Sequence, residues 1–94
     1  MEEQMSRPFD ALNRAKGKRV VVELKNGKQY RGVLEAFDPH INTVLNETEE
    51  HVQEEVEKEI DGKKTRVKTG NMVLKRKLGN VFLRGDTITI ISPE

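Results

Sequence analysis

Hydrophobic positions near the start of the chain recur at helical spacing. The apolar residues on that face are Phe9, Leu12 and Ala15. Ser6 can cap the first turn, and Pro8 fits that turn because the N–H it lacks would have no helical partner there. Gly17 supplies the left-handed residue that ends a helix. The pattern predicts a helix over residues 6–17, which is too short to be stable unless it packs on the rest of the fold.

Beyond this helix the hydrophobic period changes to two, which is typical of half-buried strands. Charged residues alternate there with Val20, Val22 and Leu24. The pair Asn26-Gly27 then predicts a type I′ hairpin turn, in which both central residues have positive φ. The returning strand covers residues 29–37, and Gly32 near its middle predicts a bend or a bulge.

A second hairpin is predicted around Asp61-Gly62, and charge dominates it. Seven acids precede or open the turn, at positions 49, 50, 54, 55, 57, 59 and 61, and seven bases follow, at positions 63, 64, 66, 68, 75, 76 and 77. If paired residue numbers add up to 123, opposite charges face each other. The pairs are Glu59–Lys64, Glu57–Arg66 and Glu55–Lys68. A disordered tip is the alternative, but this register favours an ordered arm that Gly70-Asn71 interrupts.

The same register brings two distant polar clusters together. Extended backwards, it carries His40 toward Leu83 and Asn42 toward Val81. The clusters are Asp38-Pro39-His40-Ile41-Asn42 and Arg84-Gly85-Asp86. We therefore expect them to meet at the open end of one long hairpin, although more than forty positions separate them in the sequence.

The last hydrophobic run, Thr87 to Ile91, is β-branched throughout and predicts a strand. An uncharged strand at a sheet edge is a template for pairing with another chain. A small core also favours association between subunits, because a short chain buries only part of its apolar surface by itself. We expect strand pairing between subunits, which closes into a ring if the rotation allows. Coverage of this edge by a loop or by the N-terminal helix is the alternative.

Composition narrows the classes of function. With 94 residues the chain forms one domain, and the absence of Cys excludes a disulfide scaffold, a thiolate zinc site and a cysteine nucleophile. No apolar stretch is long enough to span a bilayer, so we expect a soluble, cytoplasmic protein. The net charge of +1 excludes a strongly basic nucleic-acid coat, and any contact with RNA must come from a local site.

The sequence predicts no enzyme, metal or cofactor. The only Ser residues, Ser6 and Ser92, lie near the termini without a nucleophile elbow. His40 and His51 are eleven positions apart on what we predict as one strand, so they face opposite sides and cannot share a metal ion.

Two groups of residues carry a resemblance to a known family. The first comprises Lys25-Asn26-Gly27, Tyr30-Arg31-Gly32, Phe37-Asp38, Asn42, Leu45 and Glu49-Glu50, and the second Val81, Leu83-Arg84-Gly85-Asp86, Ile88, Ile90 and Ser92-Pro93. In this order, and preceded by Arg7-Pro8-Phe9-Asp10, they resemble the Sm/Sm-like (Lsm) family in its single-gene archaeal form. The resemblance divides a single domain, residues 1–94, into a helix (6–17), a first motif (18–50), a charged hairpin insertion (51–77) and a second motif (78–93).

The resemblance implies a mainly β Sm fold, with a short N-terminal helix on a strongly bent five-stranded antiparallel sheet, an SH3-like open barrel. The charged hairpin would extend between strands 3 and 4. In the family, strand 4 of one subunit pairs with strand 5 of the next, and the homo-oligomeric ring is usually heptameric in archaea. Such rings act in RNA processing, RNA stability or ribonucleoprotein assembly.

The resemblance also implies single-stranded U-rich RNA at the inner rim, one nucleotide per subunit. His40 and Arg84 would sandwich a base, Asn42 would hydrogen-bond its edge, and Asp86 would hold the loop or contact the base. Asp38 and Gly85 would support them. The residue chemistry suits this role, since imidazole and guanidinium planes stack on bases and an amide complements the uracil edge.

Other interpretations of these residues stay open. His40 can be an ordinary surface turn residue, Arg84-Gly85-Asp86 an ordinary turn, and Asn42 a cap of its own loop. The chain can be a monomeric SH3-like barrel that serves as a protein-interaction or ribosome-associated module, or a structural ring without RNA. The charged hairpin can widen a ring face, stack rings or dock a protein partner.

Overall fold

The computed structural model describes residues 8–94, which form one helix and six antiparallel strands. The elements are α1 (Pro8–Ala15), β1 (Arg19–Leu24), β2 (Gln29–Phe37), β3 (Thr43–Ile60), β4 (Lys63–Leu78), β5 (Val81–Leu83) and β6 (Ile88–Pro93), with a 3₁₀ turn at Gly85–Thr87. The strand order is β4-β3-β2-β1-β6, and β5 pairs with β3. The predicted fourth strand is thus divided into β4 and β5, and the predicted fold class is confirmed.

The helix ends as the sequence predicts. Gly17 takes a φ of 82°, and its N–H donates to the Leu34 carbonyl at 2.8 Å. Leu12 and Ala15 pack against the core of the sheet, which gives the short helix its support. Ser6, the predicted cap, lies outside the described residues.

The core is thin and sits between the curved strands. Its buried apolar residues are Val20, Val22, Leu34, Leu45 and Leu83. They come from β1, β2, β3 and β5, so every one of these strands contributes one face to the same cluster. The alternation of buried and exposed positions follows from the strand period of two.

The two hairpin turns differ from each other. At the first turn only Gly27 has positive φ, at 89°, and its N–H donates to the Leu24 carbonyl at 3.0 Å. The predicted type I′ turn is wrong here, because Asn26 does not adopt positive φ and instead accepts from the Lys28 N–H through its side chain. The second turn has positive φ at both Asp61 and Gly62, as type I′ requires.

Gly32 marks a close approach between β2 and β3, as its position predicted. The register shifts between Arg31 and Val33, and the extra residue is Glu47 of β3, whose φ is 49°. A Cβ atom on Gly32 would lie 2.7 Å from the Asn46 carbonyl oxygen. Glycine is therefore needed where the two strands bend over the core.

The predicted register of the charged hairpin is confirmed from Glu55–Lys68 to Ile60–Lys63. Closer to the core, Glu54 alone faces the three residues 69–71, and Lys75 has no partner of its own. These bulges add three residues to β4. The predicted approach of Asn42 to Val81 and of His40 to Leu83 is therefore wrong in detail, and Thr43 pairs with Leu83 instead.

Among the described residues the sheet has an open edge at each end, and β3 beyond His51 is open on the side where β2 has ended. One edge is β4 with β5, and the other is β6. The last strand begins at Ile88 rather than at Thr87, because Thr87 belongs to the 3₁₀ turn. The strand extends through Pro93. No helix of the described chain is long and apolar enough to cross a membrane.

Candidate nucleic-acid interface

Strand pairing places the two polar clusters next to each other. β5 pairs with the start of β3, so the loop before β3 (residues 38–42) and the turn after β5 (residues 84–87) leave the sheet at the same point. The three-residue displacement in β4 improves this juxtaposition, since it sets Thr43 opposite Leu83. The predicted meeting of the two clusters is confirmed.

Asp38 organises the first loop. Its Oδ1 accepts from the backbone N–H of His40 at 2.9 Å and of Asn42 at 3.0 Å, and its Oδ2 accepts from Asn42 Nδ2 at 3.0 Å. The loop also contains Ile41 at a φ of 64°, a conformation that a β-branched residue rarely adopts. The carboxylate therefore holds a strained loop in a single shape.

Asn42 connects the two loops. Its Oδ1 accepts from the Gly85 N–H at 2.8 Å, while its Nδ2 donates to Asp38. A carboxylate can only accept and a backbone N–H can only donate, so the two partners determine which way the amide points. One N–H and one oxygen lone pair of this exposed side chain remain for a further partner.

Gly85 is required for the loops to come this close. A Cβ atom there would overlap the His40 carbonyl oxygen and would lie 2.9 Å from the Ile41 carbonyl carbon and 3.0 Å from the Asn42 nitrogen. These are backbone atoms, which cannot move aside as a flexible side chain can. Glycine is thus required at this position because a side chain would clash with the neighbouring loop. Its φ is not positive, so backbone conformation is not the reason.

Arg84 and Asp86 form an ion pair on the surface of the turn. The distance from Arg84 Nη2 to Asp86 Oδ2 is 2.8 Å, and the side chains are 80% and 62% exposed. Thr87 supports the turn, because its hydroxyl donates to the Arg84 carbonyl at 2.7 Å. The guanidinium is therefore bonded to Asp86 through one nitrogen while most of the side chain faces solvent.

The electrostatics of the site depend on Asp38. The hydrogen bond from the Asn42 side chain, together with the backbone N–H bonds, holds the pKa of Asp38 below its usual value of 3.8, although burial opposes this effect. The carboxylate stays ionised at neutral pH and acts only as an acceptor. No group of three or more potential metal ligands occurs in residues 8–94.

Each predicted site residue lies in one of the two loops. His40, Asn42, Arg84 and Asp86 are exposed, whereas Asp38 and Gly85 are half-buried. His40 belongs to a loop and not to the same strand as His51, so the predicted common strand is wrong. Asn42 does more than cap its own loop, since it holds the neighbouring turn as well.

Comparison with known proteins identifies the family. The LSM domain model matches residues 10–93. The chain belongs to the LSM family. A relative from Archaeoglobus fulgidus, provisionally named an snRNP Sm-like protein, is 38% identical over 87 residues, which are 93% of this chain and 90% of the relative. The resemblance identified from the two sequence motifs is confirmed.

Two solved LSM structures have the same fold. The Sm protein of Pyrococcus abyssi in complex with a uridine heptamer is 31% identical, with a TM-score of 0.66 over 95% of this chain and all of that one. The SmAP1 heptamer of P. aerophilum is 30% identical, with a TM-score of 0.67 over 97% of each chain.

Within this LSM domain, sequence reasoning missed an apolar cleft and an exposed aromatic residue. The cleft has a volume of about 920 Å³ and lies between α1, β6 and the two loops. Its apolar lining includes Leu12, Ala15, Val20, Ile88, Ile91 and Pro93. Phe82 lies on β5, and 80% of its surface is exposed. Strand alternation could have found Phe82, since its neighbours Val81 and Leu83 turn toward the core.

Proposed function

We propose that this chain forms a ring that binds single-stranded U-rich RNA at the inner rim, one nucleotide per subunit. The observation that carries the proposal is the hydrogen bond between Asn42 and Gly85, which joins the two loops at 2.8 Å. It supports the proposal because it joins the loop that carries His40 and Asn42 to the turn that carries Arg84. RNA processing, RNA stability or ribonucleoprotein assembly are the processes such a ring would serve.

Base stacking supplies the affinity at each site. His40 and Arg84 belong to the two joined loops, and each offers a planar group to one face of a base. Stacking of this kind contributes about 1–3 kcal/mol for each base and tolerates any base. Asp86 holds the guanidinium by its edge, so the faces of Arg84 stay available.

The amide of Asn42 supplies the preference for uracil. Uracil presents an acceptor at O4 and a donor at N3, and the amide has one free donor and one free acceptor. Cytosine presents the same two functions in the opposite order. Because Asp38 and Gly85 prevent the amide from flipping, the site can match uracil and not cytosine.

The ring follows from the two open edges of the sheet. An exposed Phe82 marks the β5 edge, and the apolar cleft flanks the β6 edge. Pairing β5 of one protomer with β6 of the next would place Phe82 near the neighbour's cleft, which removes apolar surface from water. The heptameric P. aerophilum relative supports seven subunits.

Ring formation converts weak sites into useful affinity. One stacked nucleotide binds weakly, but identical sites on a single strand act at a high effective concentration. This is how a chain with a net charge of +1 can bind RNA. The relative from P. abyssi, solved with a uridine heptamer, supports this mode of binding. No catalytic step is assigned to the site.

Fluorescence anisotropy with labelled oligo-U, oligo-C and oligo-A tests the proposal. Arg84→Ala should weaken binding to all three by about tenfold or more, because stacking ignores base identity. Asn42→Ala should reduce the preference for oligo-U. Asp38→Asn should bring oligo-U and oligo-C closer together in affinity. The amide nitrogen of the new side chain can only donate, so it no longer accepts from Asn42 Nδ2 and no longer fixes the orientation of the Asn42 amide.

Arg66→Ala is the matched control for Arg84→Ala. Arg66 is also an exposed arginine paired with a carboxylate, at 2.9 Å from Glu55, but it lies far from the two loops along β4. Light scattering on the same samples measures the assembly, and a 10.8 kDa species at micromolar concentration would favour the monomeric barrel instead. Equal affinity for oligo-U in the wild type and in all three site variants would remove the assigned site.

A further inference from the structure

The proposed function leaves one large part of the molecule unused. Residues 52–73, here called the charged arm, comprise the outer part of β3, the second turn and the outer part of β4. β2 stops pairing with β3 at His51, so the arm is a two-stranded ribbon, and the molecule including the arm is 60 Å long. Both outer edges of this ribbon lack a backbone partner among the described residues.

The two strands of the arm carry opposite charge. The β3 half has four acids (residues 54, 55, 57 and 59) and one base (58), while the β4 half has four bases (63, 64, 66 and 68) and no acid. One face of the ribbon displays Glu55, Glu57 and Glu59 along one edge and Lys64, Arg66 and Lys68 along the other. The arm is therefore an acidic edge joined to a basic edge.

These charges are only partly satisfied within one chain. Arg66 binds Glu55 at 2.9 Å, diagonally across the ribbon, and is the one member of the basic edge with an ion pair within the described chain. Glu57 and Glu59 likewise form no ion pair there. Apolar side chains are also left exposed, with Val56 at 36% and Ile60 at 51%.

We propose that the charged arms of neighbouring protomers pair edge to edge, the basic β4 edge of one arm against the acidic β3 edge of the next. This inference rests on the proposed ring. Arms that run along the axis of the ring all point the same way, so β4 of one arm would run antiparallel to β3 of its neighbour. The contact is head-to-tail, which cyclic symmetry repeats around the ring.

Charge complementarity favours a second copy of this chain as the binding partner of the charged arm. Each basic column would lie between two acidic columns, and the open backbone edges would gain partners. RNA is a poorer occupant, because the whole arm has five acids and five bases and so no net charge to attract phosphates.

A charge-swapped variant tests the pairing. In it, Glu55, Glu57 and Glu59 become Lys, and Lys64, Arg66 and Lys68 become Glu. Pairing within each arm and between two swapped arms is preserved, but a swapped arm beside a wild-type arm brings like charges together at the shared edge. Wild-type chains labelled with ¹⁵N are unfolded together with an equal amount of swapped chains and refolded, and the rings are weighed by native mass spectrometry.

Self-sorting is the expected result. Random mixing of seven subunits would leave roughly 2% of the rings pure, whereas pairing of the arms should enrich pure rings at least about tenfold. Labelled and unlabelled wild-type chains must mix randomly, which controls for exchange. Random mixing of wild-type with swapped chains into intact rings would overturn the inference while leaving the proposed ring standing. Absence of ring mass from the wild-type sample alone would overturn both.

Hydrogen exchange on the wild-type assembly tests arm pairing independently, without the swapped chain. It therefore gives an answer even if the swapped chain does not refold. Amides of residues 52–60 and 63–71 that point out of the ribbon should exchange slowly in the assembled protein, because they bond to the neighbouring arm. Exchange of these amides at the rate of unpaired backbone, in a sample with ring mass, would contradict arm pairing.

Discussion

The two ends of β3 belong to different kinds of structure. From Thr43 to His51 the strand has partners on both sides, and buried positions alternate with half-exposed ones except at the exposed Glu47 and at the buried pair Glu50-His51. Beyond His51 it has one partner, and nearly every residue is exposed. The inner half contains register shifts at Glu47 and opposite Lys75, whereas the outer half has one bulge, opposite Glu54, and is paired without interruption from Glu55 to Ile60.

The difference shows two ways of setting a register. In the inner half, burial decides which residues face the core, and bulges adjust the strands to that requirement. In the outer half little is buried, and the type I′ turn and the facing charges determine the pairing, each by a small amount. The inner half should therefore respond strongly to single substitutions and the arm weakly.

Glu50 lies at the boundary between the two halves. Its side chain is fully buried, and it accepts from Tyr30 Oη at 2.8 Å and from Arg76 Nε at 2.6 Å. Lys28 Nζ lies 3.5 Å away. The carboxylate thus connects β2, β3 and β4 where the arm leaves the body of the domain.

The largest effect is expected from Gly85→Ala. The new methyl group would overlap the His40 carbonyl, so the two loops would separate and the hydrogen bond to Asn42 would break. We expect a loss of RNA affinity of about a hundredfold, which corresponds to roughly 3 kcal/mol at 25 °C. Anisotropy with oligo-U measures it.

Gly79→Ala is the control for that substitution. Gly79 has no positive φ, and a Cβ atom there would meet nothing within 4 Å. Its affinity for oligo-U should stay at the wild-type value. Binding of wild-type strength by Gly85→Ala would mean that the loops need not touch for the site to work.

A smaller effect is expected from Glu50→Gln. The amide keeps an acceptor for Tyr30 but loses the charged bond to Arg76, and we expect the free energy of unfolding to fall by about 2 kcal/mol. Urea unfolding at a fixed protein concentration measures it. Glu57→Gln in the arm is the control and should change the value by less than about 0.5 kcal/mol.

The pH dependence of unfolding tests the same carboxylate. Burial raises the pKa of Glu50, but the hydrogen bonds from Arg76 and Tyr30 outweigh burial and hold the pKa below its usual 4.5. A lowered pKa stabilises the folded state above the unfolded-state value, and this contribution disappears as the pH falls below 4.5 through the folded-state value. The stability of Glu50→Gln should change less than that of the wild type over this range. Equal acid sensitivity of the two proteins would show that other carboxylates control it.

Periodicity predicted most of the elements and charge predicted the arm. The change of hydrophobic period at Gly17 separated helix from sheet, and the facing charges identified the pairing from Glu55 to Ile60 residue by residue. Both patterns are local, so a single sequence is enough to read them. They also led to the meeting of the two polar loops.

What escaped prediction depends on contacts between distant strands. Gly70-Asn71 indicated an interruption but not its size, and nothing at Lys75 indicates a bulge. The conformation of Asn26 is set by how β1 and β2 pair, which dipeptide statistics do not describe. The hydrogen bond from Gly85 to Asn42 follows from the corrected register and could not be derived before it.

The smallest effect on the free energy of unfolding is expected from Arg66→Ala in the arm. Arg76→Ala, which removes a partner of Glu50 in the inner half of β3, is the matched comparison. The two arginine side chains are similarly exposed, at 71% and 61%, but the carboxylate that Arg66 binds is 37% exposed whereas the one that Arg76 binds is fully buried. Arg66→Ala should lower the free energy of unfolding by less than about 0.5 kcal/mol, and added salt should abolish the effect. Arg76→Ala should cost about 1–2 kcal/mol and respond little to salt, because it removes a partner of a buried charge. Urea unfolding of both variants at low and high salt gives the two values, and equal losses would mean that the burial of the acid partner does not distinguish the inner half of β3 from the arm.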